Sequence, residues 1–337
     1  MYDKYEKNSL QIKQLATDFF IWTTIGVIIT KFRGILFVKI FSTFLGASDY
    51  GYFSFLHSNS FILASLISFN MPTAVFRLTS EAYAQDNEKK ALIILLTSIS
   101  MCIGFGIASN ILFFLSATFQ VELFTSTNYF LDISIIGIFS VTIAVDNIIL
   151  QYFRLKQDKG KYFSLQTIIP YLTLIGSVLF GIIFNLSVFG VIFAHFVGYF
   201  ILLLPMVLDF ILKAKEGRFN LIEAKNIFSF SYPGMFVIVA TSISNFILNI
   251  FLKEIHGNVS LGIYAVALSI ANLFGMFDYI VSLSYPTIIL RNYDIGNHDY
   301  IQRFVNRTTR IYLTLMIGLV FLLTTFSPLL IHILSSQ

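Results

Sequence analysis

Residues 188–212 read VFGVIFAHFVGYFILLLPMVLDFIL, an apolar run of 25 residues with one acidic side chain, Asp209. A helix needs about 20 such residues to cross about 30 Å of hydrocarbon. The whole chain shares this character, since 56% of its 337 residues are apolar and 12% are charged. A soluble domain carries about 25% charged residues, and the short alternating stretches of a membrane β-barrel do not occur. The sequence therefore predicts an all-α integral membrane protein.

Runs of this kind occur about nine times, and each predicts a transmembrane helix. The predicted spans cover residues 19–43, 51–71, 91–115, 129–152, 164–184, 188–212, 227–252, 261–285 and 310–330. The polar segment 1–18 does not resemble a cleavable signal peptide, so the first span is expected to remain in the protein.

The connections between the spans alternate in charge. Of the 22 Lys and Arg residues, 18 lie in five segments, residues 1–18, 72–90, 153–163, 213–226 and 286–310. The intervening connections hold only Lys253. Because basic residues stay on the cytoplasmic side of a membrane, the N-terminus is predicted to be cytoplasmic and the ninth span to end outside. Charges spread this widely do not form a nucleic-acid-binding patch, so no nucleic-acid partner is expected.

Short segments of the chain recur in the same order. The matching pairs are residues 72–77 (PTAVFR) with 286–291 (PTIILR), 49–54 (DYGYFS) with 260–265 (SLGIYA), and 37–39 (FVK) with 251–253 (FLK). The unit that repeats is six spans, an even number, so both halves enter the membrane in the same orientation. Parallel repeats of this kind are one plan of secondary transporters. The alternative is that Gly and Pro merely mark helix ends.

The repeat predicts two helical bundles. Residues 1–220 would form a six-helix N-terminal bundle, and residues 221–337 a C-terminal bundle of three helices. The second bundle is therefore expected to lack the last three helices of a twelve-helix design.

Four segments carry a family resemblance: residues 45–51 (LGASDYG), 71–73 (MPT), 230–234 (FSYPG) and 261–264 (LGIY). They resemble the polysaccharide transporters of the multidrug/oligosaccharidyl-lipid/polysaccharide (MOP) superfamily, the Wzx-type flippases in particular. The resemblance implies a MATE-like fold of two bundles around a cavity, in the bacterial inner membrane. It also implies the flipping of undecaprenyl-diphosphate-linked sugar units for O-antigen, lipopolysaccharide or capsule synthesis, with membrane lipids and other polysaccharide assembly proteins as partners. One departure is Asn249-Ile250, where relatives commonly carry a polar Asp-Arg-like pair.

Three basic residues lie within the first predicted span, and two of them, Lys31 and Arg33, lie near its centre. Lys31 is at its middle and Arg33 is two residues farther on. A charged side chain at the bilayer centre costs about 2.5–3.5 kcal/mol, so both are expected to avoid lipid. We interpret them as a cationic cavity that attracts the diphosphate of the lipid carrier. The alternative is structural pairing with Asp146 or Asp278.

Asp146 and Asp278 lie within the fourth and eighth spans. They are candidates for ion coupling or for counter-charges, although they could equally reach interfacial water. His57 and His195, in the second and sixth spans, are more often packing residues than proton carriers.

Asn245 and Asn249 are one turn apart in the seventh span, so they share a face and either line a cavity or bridge helices. No phosphate-binding loop, zinc motif or nucleophile elbow is present, so we expect no metal, cofactor or enzymatic activity. The competing predictions are a drug exporter of the same superfamily, whose cavity would be governed by carboxylates, and a membrane polymerase or glycosyltransferase. The latter would need a large outer loop or clustered catalytic acids.

Overall fold

The computed structural model describes residues 2–118, 129–213, 219–294 and 298–335. Side chains are described for residues 21–112, 114–115, 131–213, 219–272, 275, 289, 298–322 and 324–326. Within these ranges all regular structure is helical, which confirms the predicted all-α class.

Nine α-helices follow one another along the described chain. They are α1 (Tyr2–Ser68), α2 (Met71–Ala84), α3 (Glu88–Thr118), α4 (Tyr129–Lys156), α5 (Lys159–Phe163), α6 (Ile169–Ser177), α7 (Ser187–Lys213), α8 (Leu221–Asp294) and α9 (His298–Ser335). Two π-helical segments, Ser164–Ile168 and Val178–Ile183, extend α5 and α6.

Six helical stretches of the described region are long and apolar enough to cross a membrane. They are Glu88–Leu112, Leu131–Lys156, Lys159–Ile183, Ser187–Lys213, Leu221–Asn272 and His298–Phe326. The stretch Leu221–Asn272 has 52 residues, or about 78 Å at 1.5 Å per residue, which is longer than two crossings. The predicted count of nine spans is not confirmed, because α1 and α8 each run through two predicted spans.

Each of these two long helices is broken at one glycine. Gly46 in α1 has φ 74° and ψ 171°, and Gly257 in α8 has φ 75° and ψ 177°. Only glycine readily adopts this combination. The two breaks are 211 residues apart, the offset that relates residues 49–54 to 260–265. The backbone therefore repeats where the sequence repeats.

The other two sequence matches are displaced from this register. Lys39 lies seven residues before Gly46, whereas Lys253 lies four residues before Gly257. The Pro-Thr match has an offset of 214, which is likewise three residues longer than that of the glycines. Three residues are nearly one helical turn, so the matched side chains return close to the same helix face.

Gly51 and Gly262 bring α1 and α8 into close contact. A Cβ atom on Gly51 would lie 2.9 Å from the backbone nitrogen of Gly262 and would overlap the carbonyl of Asn258. A Cβ atom on Gly262 would overlap the carbonyl of Ala47. Small residues at helix crossings in membranes allow such close backbone approach.

The chain forms two compact units. One comprises residues 45–262 and holds α2 to α7; the other comprises residues 1–44 and 263–337. In the first unit Phe55, Phe153 and Tyr162 are among the fully buried side chains, while Leu212 is 72% exposed, as expected for a lipid-facing residue. The predicted division into residues 1–220 and 221–337 remains a prediction.

Candidate functional site

A groove of about 290 Å³ lies within the unit formed by residues 45–262. It runs between the end of α1, the start of α2 and the part of α8 before its break. Its lining residues are Phe61, Ile62, Ser65, Ser68, Asn70, Pro72, Ile238, Thr241, Ser242 and Asn245. Hydroxyl and amide groups dominate its polar surface, and none of these residues is charged. Such a surface suits a neutral ligand with many hydroxyl groups and an apolar face.

The shape of the groove follows from the local sequence at Asn70. Asn70 has φ 60°, a left-handed conformation that Asn tolerates better than most residues. Asn70 is the N-cap of α2, after α1 has ended at Ser68, and Pro72 lies in the first turn of α2, a position that suits proline. The amide of Asn70 lies where a Cβ on Gly234 would be, so glycine at 234 makes room for it. Two of the segments that carried the family resemblance therefore meet at this groove.

Asn245 and Asn249 each take one of the two roles that were predicted for the pair. Asn245 lines the groove. Asn249 is buried, and its Nδ2 donates a hydrogen bond to Oγ of Ser58 at 3.0 Å. Asn249 therefore bridges α8 and α1, the commoner use of an amide within a membrane helix.

Lys31 lies in the unit formed by residues 1–44 and 263–337. Its Nζ donates a hydrogen bond to the main-chain oxygen of Asn272 in α8 at 2.8 Å. The partner in the structure is thus a helix carbonyl. An ammonium has three donors, and this hydrogen bond uses one of them. The carbonyl carries no formal charge, so this contact is a hydrogen bond and not an ion pair.

Arg33 lies on the same helix, α1, and its side chain packs against the surface of that helix. The guanidinium carbon is 4.8 Å from the ring centroid of Phe37, which is a cation–π distance. Phe37 itself is buried. The two basic residues therefore take different surroundings, as their spacing of two residues on a helix predicts.

Of the two intramembrane aspartates, only Asp146 has a side chain that the structure describes. Oδ1 of Asp146, on α4, is buried and has no hydrogen-bond partner among the described residues. The side chain of Asp278 lies outside the described ones. The proposed roles of both residues in coupling or charge balance remain predictions.

A second polar cluster was missed in the sequence. Asp132, in the first turn of α4, is fully buried and accepts a hydrogen bond from the hydroxyl of Tyr52. Nζ of Lys253 is buried 4.0 Å from the ring centroid of Phe55, with no hydrogen-bond acceptor among the described residues. The carboxyl groups of Asp132 and Glu254 interact electrostatically with this ammonium. Lys253 was expected in a connection, yet it belongs to α8. The sequence signal that could have revealed this cluster is Asp132, an acidic residue at the start of an apolar run.

The structure also brings His57 and His195 together, although they are 138 positions apart in the sequence. Their ring centroids are 5.3 Å apart. No sequence pattern connects the two residues, so only the packing of α1 on α7 reveals the pair. Among the described residues no group of three or more potential metal ligands occurs.

Solved transporter structures share this fold. An inward-facing multidrug resistance MATE family transporter of the MOP superfamily matches with a TM-score of 0.69 at 12% identity, covering 93% of this chain and 72% of that chain. The outward-facing form gives 0.68 at 14% identity, covering 94% and 74%. A MOP superfamily transporter from Pyrococcus furiosus, described as having a binding pocket of reverse polarity, gives 0.64 at 13% identity, covering 95% and 76%.

These observations define the class of protein to which the chain belongs. The chain is a multi-pass membrane protein with the fold of solved transporters of the MOP superfamily. It belongs to the polysaccharide biosynthesis protein family, whose model matches residues 17–289. The resemblance inferred from the short sequence segments is thereby confirmed. No curated protein matches the chain.

Proposed function

We propose that this protein flips undecaprenyl-diphosphate-linked oligosaccharide repeat units from the cytoplasmic to the outer leaflet of the bacterial inner membrane. The product would serve the synthesis of O-antigen and lipopolysaccharide, or of capsule. Membership of the polysaccharide biosynthesis family supports the class of substrate. The transporter fold supports movement of that substrate across a membrane.

The groove is the observation that carries the proposal. Ser65, Ser68 and Asn70 face Thr241 and Asn245 across it, so hydroxyl and amide groups lie on both walls. Phe61 adds an apolar ring to the same surface. Sugar hydroxyls both donate and accept hydrogen bonds, as these groups do, and an aromatic ring packs against the apolar face of a sugar. A drug exporter governed by carboxylates would place an acid here, and the groove has none.

Charge supplies a separate argument for the proposed substrate. The lipid carrier bears a diphosphate, and Lys31 offers an ammonium with two donors beyond its bond to Asn272. In the proposed orientation the N-terminus is cytoplasmic, so the Ser68–Pro72 end of the groove would face the cytoplasm. A substrate made in the cytoplasmic leaflet would reach that end first. The two bundles would then rock around the substrate by alternating access.

The test uses a bacterial strain that lacks its own repeat-unit flippase. Asn245→Leu and Ser65→Leu fill the groove, and Ser244→Leu serves as the matched control because Ser244 is exposed on the same helix and does not line the groove. We expect the groove variants to lose surface polysaccharide and to accumulate lipid-linked repeat units, while the control stays active. Normal surface polysaccharide in both groove variants would overturn the role of the groove. Restored drug resistance without restored polysaccharide would favour the exporter instead.

A further inference from the structure

The pair formed by His57 and His195 lies in an aromatic box. The ring of Phe53 is 5.3 Å from that of His57 and 5.6 Å from that of His195. Phe139 is 5.8 Å and 6.0 Å from the same two rings, and Phe61 is 4.8 Å from His57. The two imidazoles meet edge to face at 76°. Three helices, α1, α4 and α7, contribute to this box.

The box is closed to water on the side of His195, which is 4% exposed. Its Nδ1 is 2.9 Å from the main-chain oxygen of Val191. A carbonyl can only accept, so Nδ1 carries the hydrogen, and Nε2 is the atom that takes up a further proton. The hydrogen bond to Val191 therefore fixes both the tautomer and the direction of the ring.

The box can hold one positive charge. Aromatic rings within about 6 Å of a cation attract it through their faces, and at least three rings are at such distances from His57. A second proton on the pair would place two positive charges in contact in a region of low dielectric, which is strongly opposed. The pair is thus built to take up one proton and to share it between two helices.

Other titratable groups lie on the helices around the pair. They include Tyr52 on α1, Asp132 and Asp146 on α4, Tyr199 on α7 and Lys253 on α8. Asp132 and Asp146 each lie seven residues from Phe139, and so lie near the same face of α4 as that ring.

We propose that His57 and His195 form a proton-binding site that couples transport to the proton gradient. The proton is taken up at an imidazole nitrogen and later released from it, without other chemistry. Protonation changes the attraction between α1 and α7 across the box, and so shifts the balance between two arrangements of the bundle. The coupling step rests on the proposed flippase function, whereas the proton-binding site itself does not.

The direct test is nuclear magnetic resonance of protein labelled at its five histidines and held in lipid nanodiscs. Interacting groups titrate together when their coupling exceeds about one pH unit. We therefore expect the curve of His195 to move by about that amount in His57→Gln, and the curve of His57 to move similarly in His195→Gln. His256→Gln is the matched control, because His256 is exposed and outside the box. Curves that are unchanged by loss of the other ring, or rings that do not titrate between about pH 5 and 8, would overturn the site.

The functional arm measures surface polysaccharide with and without a protonophore. We expect each single Gln variant to lose its dependence on the proton gradient together with most of its export, while His256→Gln keeps both. Coupled titration with normal, gradient-dependent export in His57→Gln would overturn the coupling role. Coupled titration in a wild-type chain that never restores polysaccharide would instead count against the flippase function, so the two failures are distinguishable.

Discussion

Replacing Gly46 or Gly257 with alanine measures the energetic cost of the two helix breaks. Both residues have φ near 75° and ψ near 175°, a region where a side chain costs about 1–3 kcal/mol. Apart from the glycine itself and its two chain neighbours, no atom of the described residues lies within 4 Å of a Cβ built on either position, so clashes with the described part of the chain add nothing to this strain. Alanine also restricts the unfolded chain, which returns about 0.4–1 kcal/mol. The expected net loss is about 1–2 kcal/mol for each substitution, or about 5–30-fold in the folding equilibrium.

The chain carries its own reporter for this experiment. Cys102 is the only cysteine and is buried, so a thiol-reactive fluorescent maleimide labels the protein only when it unfolds. Labelling is followed while increasing amounts of sodium dodecyl sulfate unfold the protein in mixed micelles. The unfolding midpoints of the two variants should fall.

Gly34→Ala provides a control of opposite sign. Gly34 is within the helical part of α1, and outside its own helical turn a Cβ there meets no atom of the described residues within 4 Å. Alanine should therefore stabilise the helix by about 0.5–1 kcal/mol. If Gly46→Ala and Gly257→Ala were as stable as Gly34→Ala, neither residue would hold the backbone conformation described, and the structural repeat would lose its basis.

Three further predictions concern the site and the packing around it. Lys31→Ala should reduce surface polysaccharide in the flippase-deficient strain more than Arg33→Ala, because the Lys31 ammonium has two donors beyond its bond to Asn272 while the Arg33 guanidinium packs on Phe37 of its own helix; equal activity of Lys31→Ala and wild type would refute the cationic-cavity hypothesis. Gly262→Val should lower the free energy of unfolding by about 1–3 kcal/mol through overpacking against α1, and an unchanged labelling midpoint of Cys102 would contradict the close crossing. Tyr52→Phe should cost about 1–3 kcal/mol in the same assay, because a buried carboxylate loses one of its donors; a neutral result would show that other groups already satisfy that carboxylate.

The class and the repeat of this fold could be predicted from the sequence because both depend on local patterns. Apolar run length reports membrane helices directly. The repeat was visible because Gly51 and Gly262 are needed for a close helix crossing, which restricts the residue type at both positions. The breaks at Gly46 and Gly257 follow the same logic, since only glycine readily adopts that backbone conformation.

The contents of the site were less predictable because they depend on which helices pack together. Asn245 and Asn249 share a helix face, yet one lines the groove and the other contacts Ser58. Nothing local distinguishes the two amides. The pairing of His57 with His195 is also a product of packing, and each residue alone was best interpreted as a packing residue.

Lys253 shows where local reasoning gave a different answer from the structure. A lysine near the end of an apolar run was expected in a connection, since charges usually mark the membrane surface. The helix continues past it to the break at Gly257. Its ammonium instead lies over the ring of Phe55, in a setting that combines a cation–π contact with a nearby carboxylate.

The central claim is that this chain moves a lipid-linked oligosaccharide between leaflets. The most direct measurement reconstitutes the protein in vesicles that hold an imposed proton gradient and contain undecaprenyl-diphosphate-linked oligosaccharide in both leaflets, and follows the sugar that a membrane-impermeant glycosidase can cleave. The account predicts that the inner-leaflet pool becomes cleavable with wild-type protein and with Ser244→Leu, and remains protected with Asn245→Leu. An inner-leaflet pool that stays protected in the presence of folded wild-type protein would contradict it.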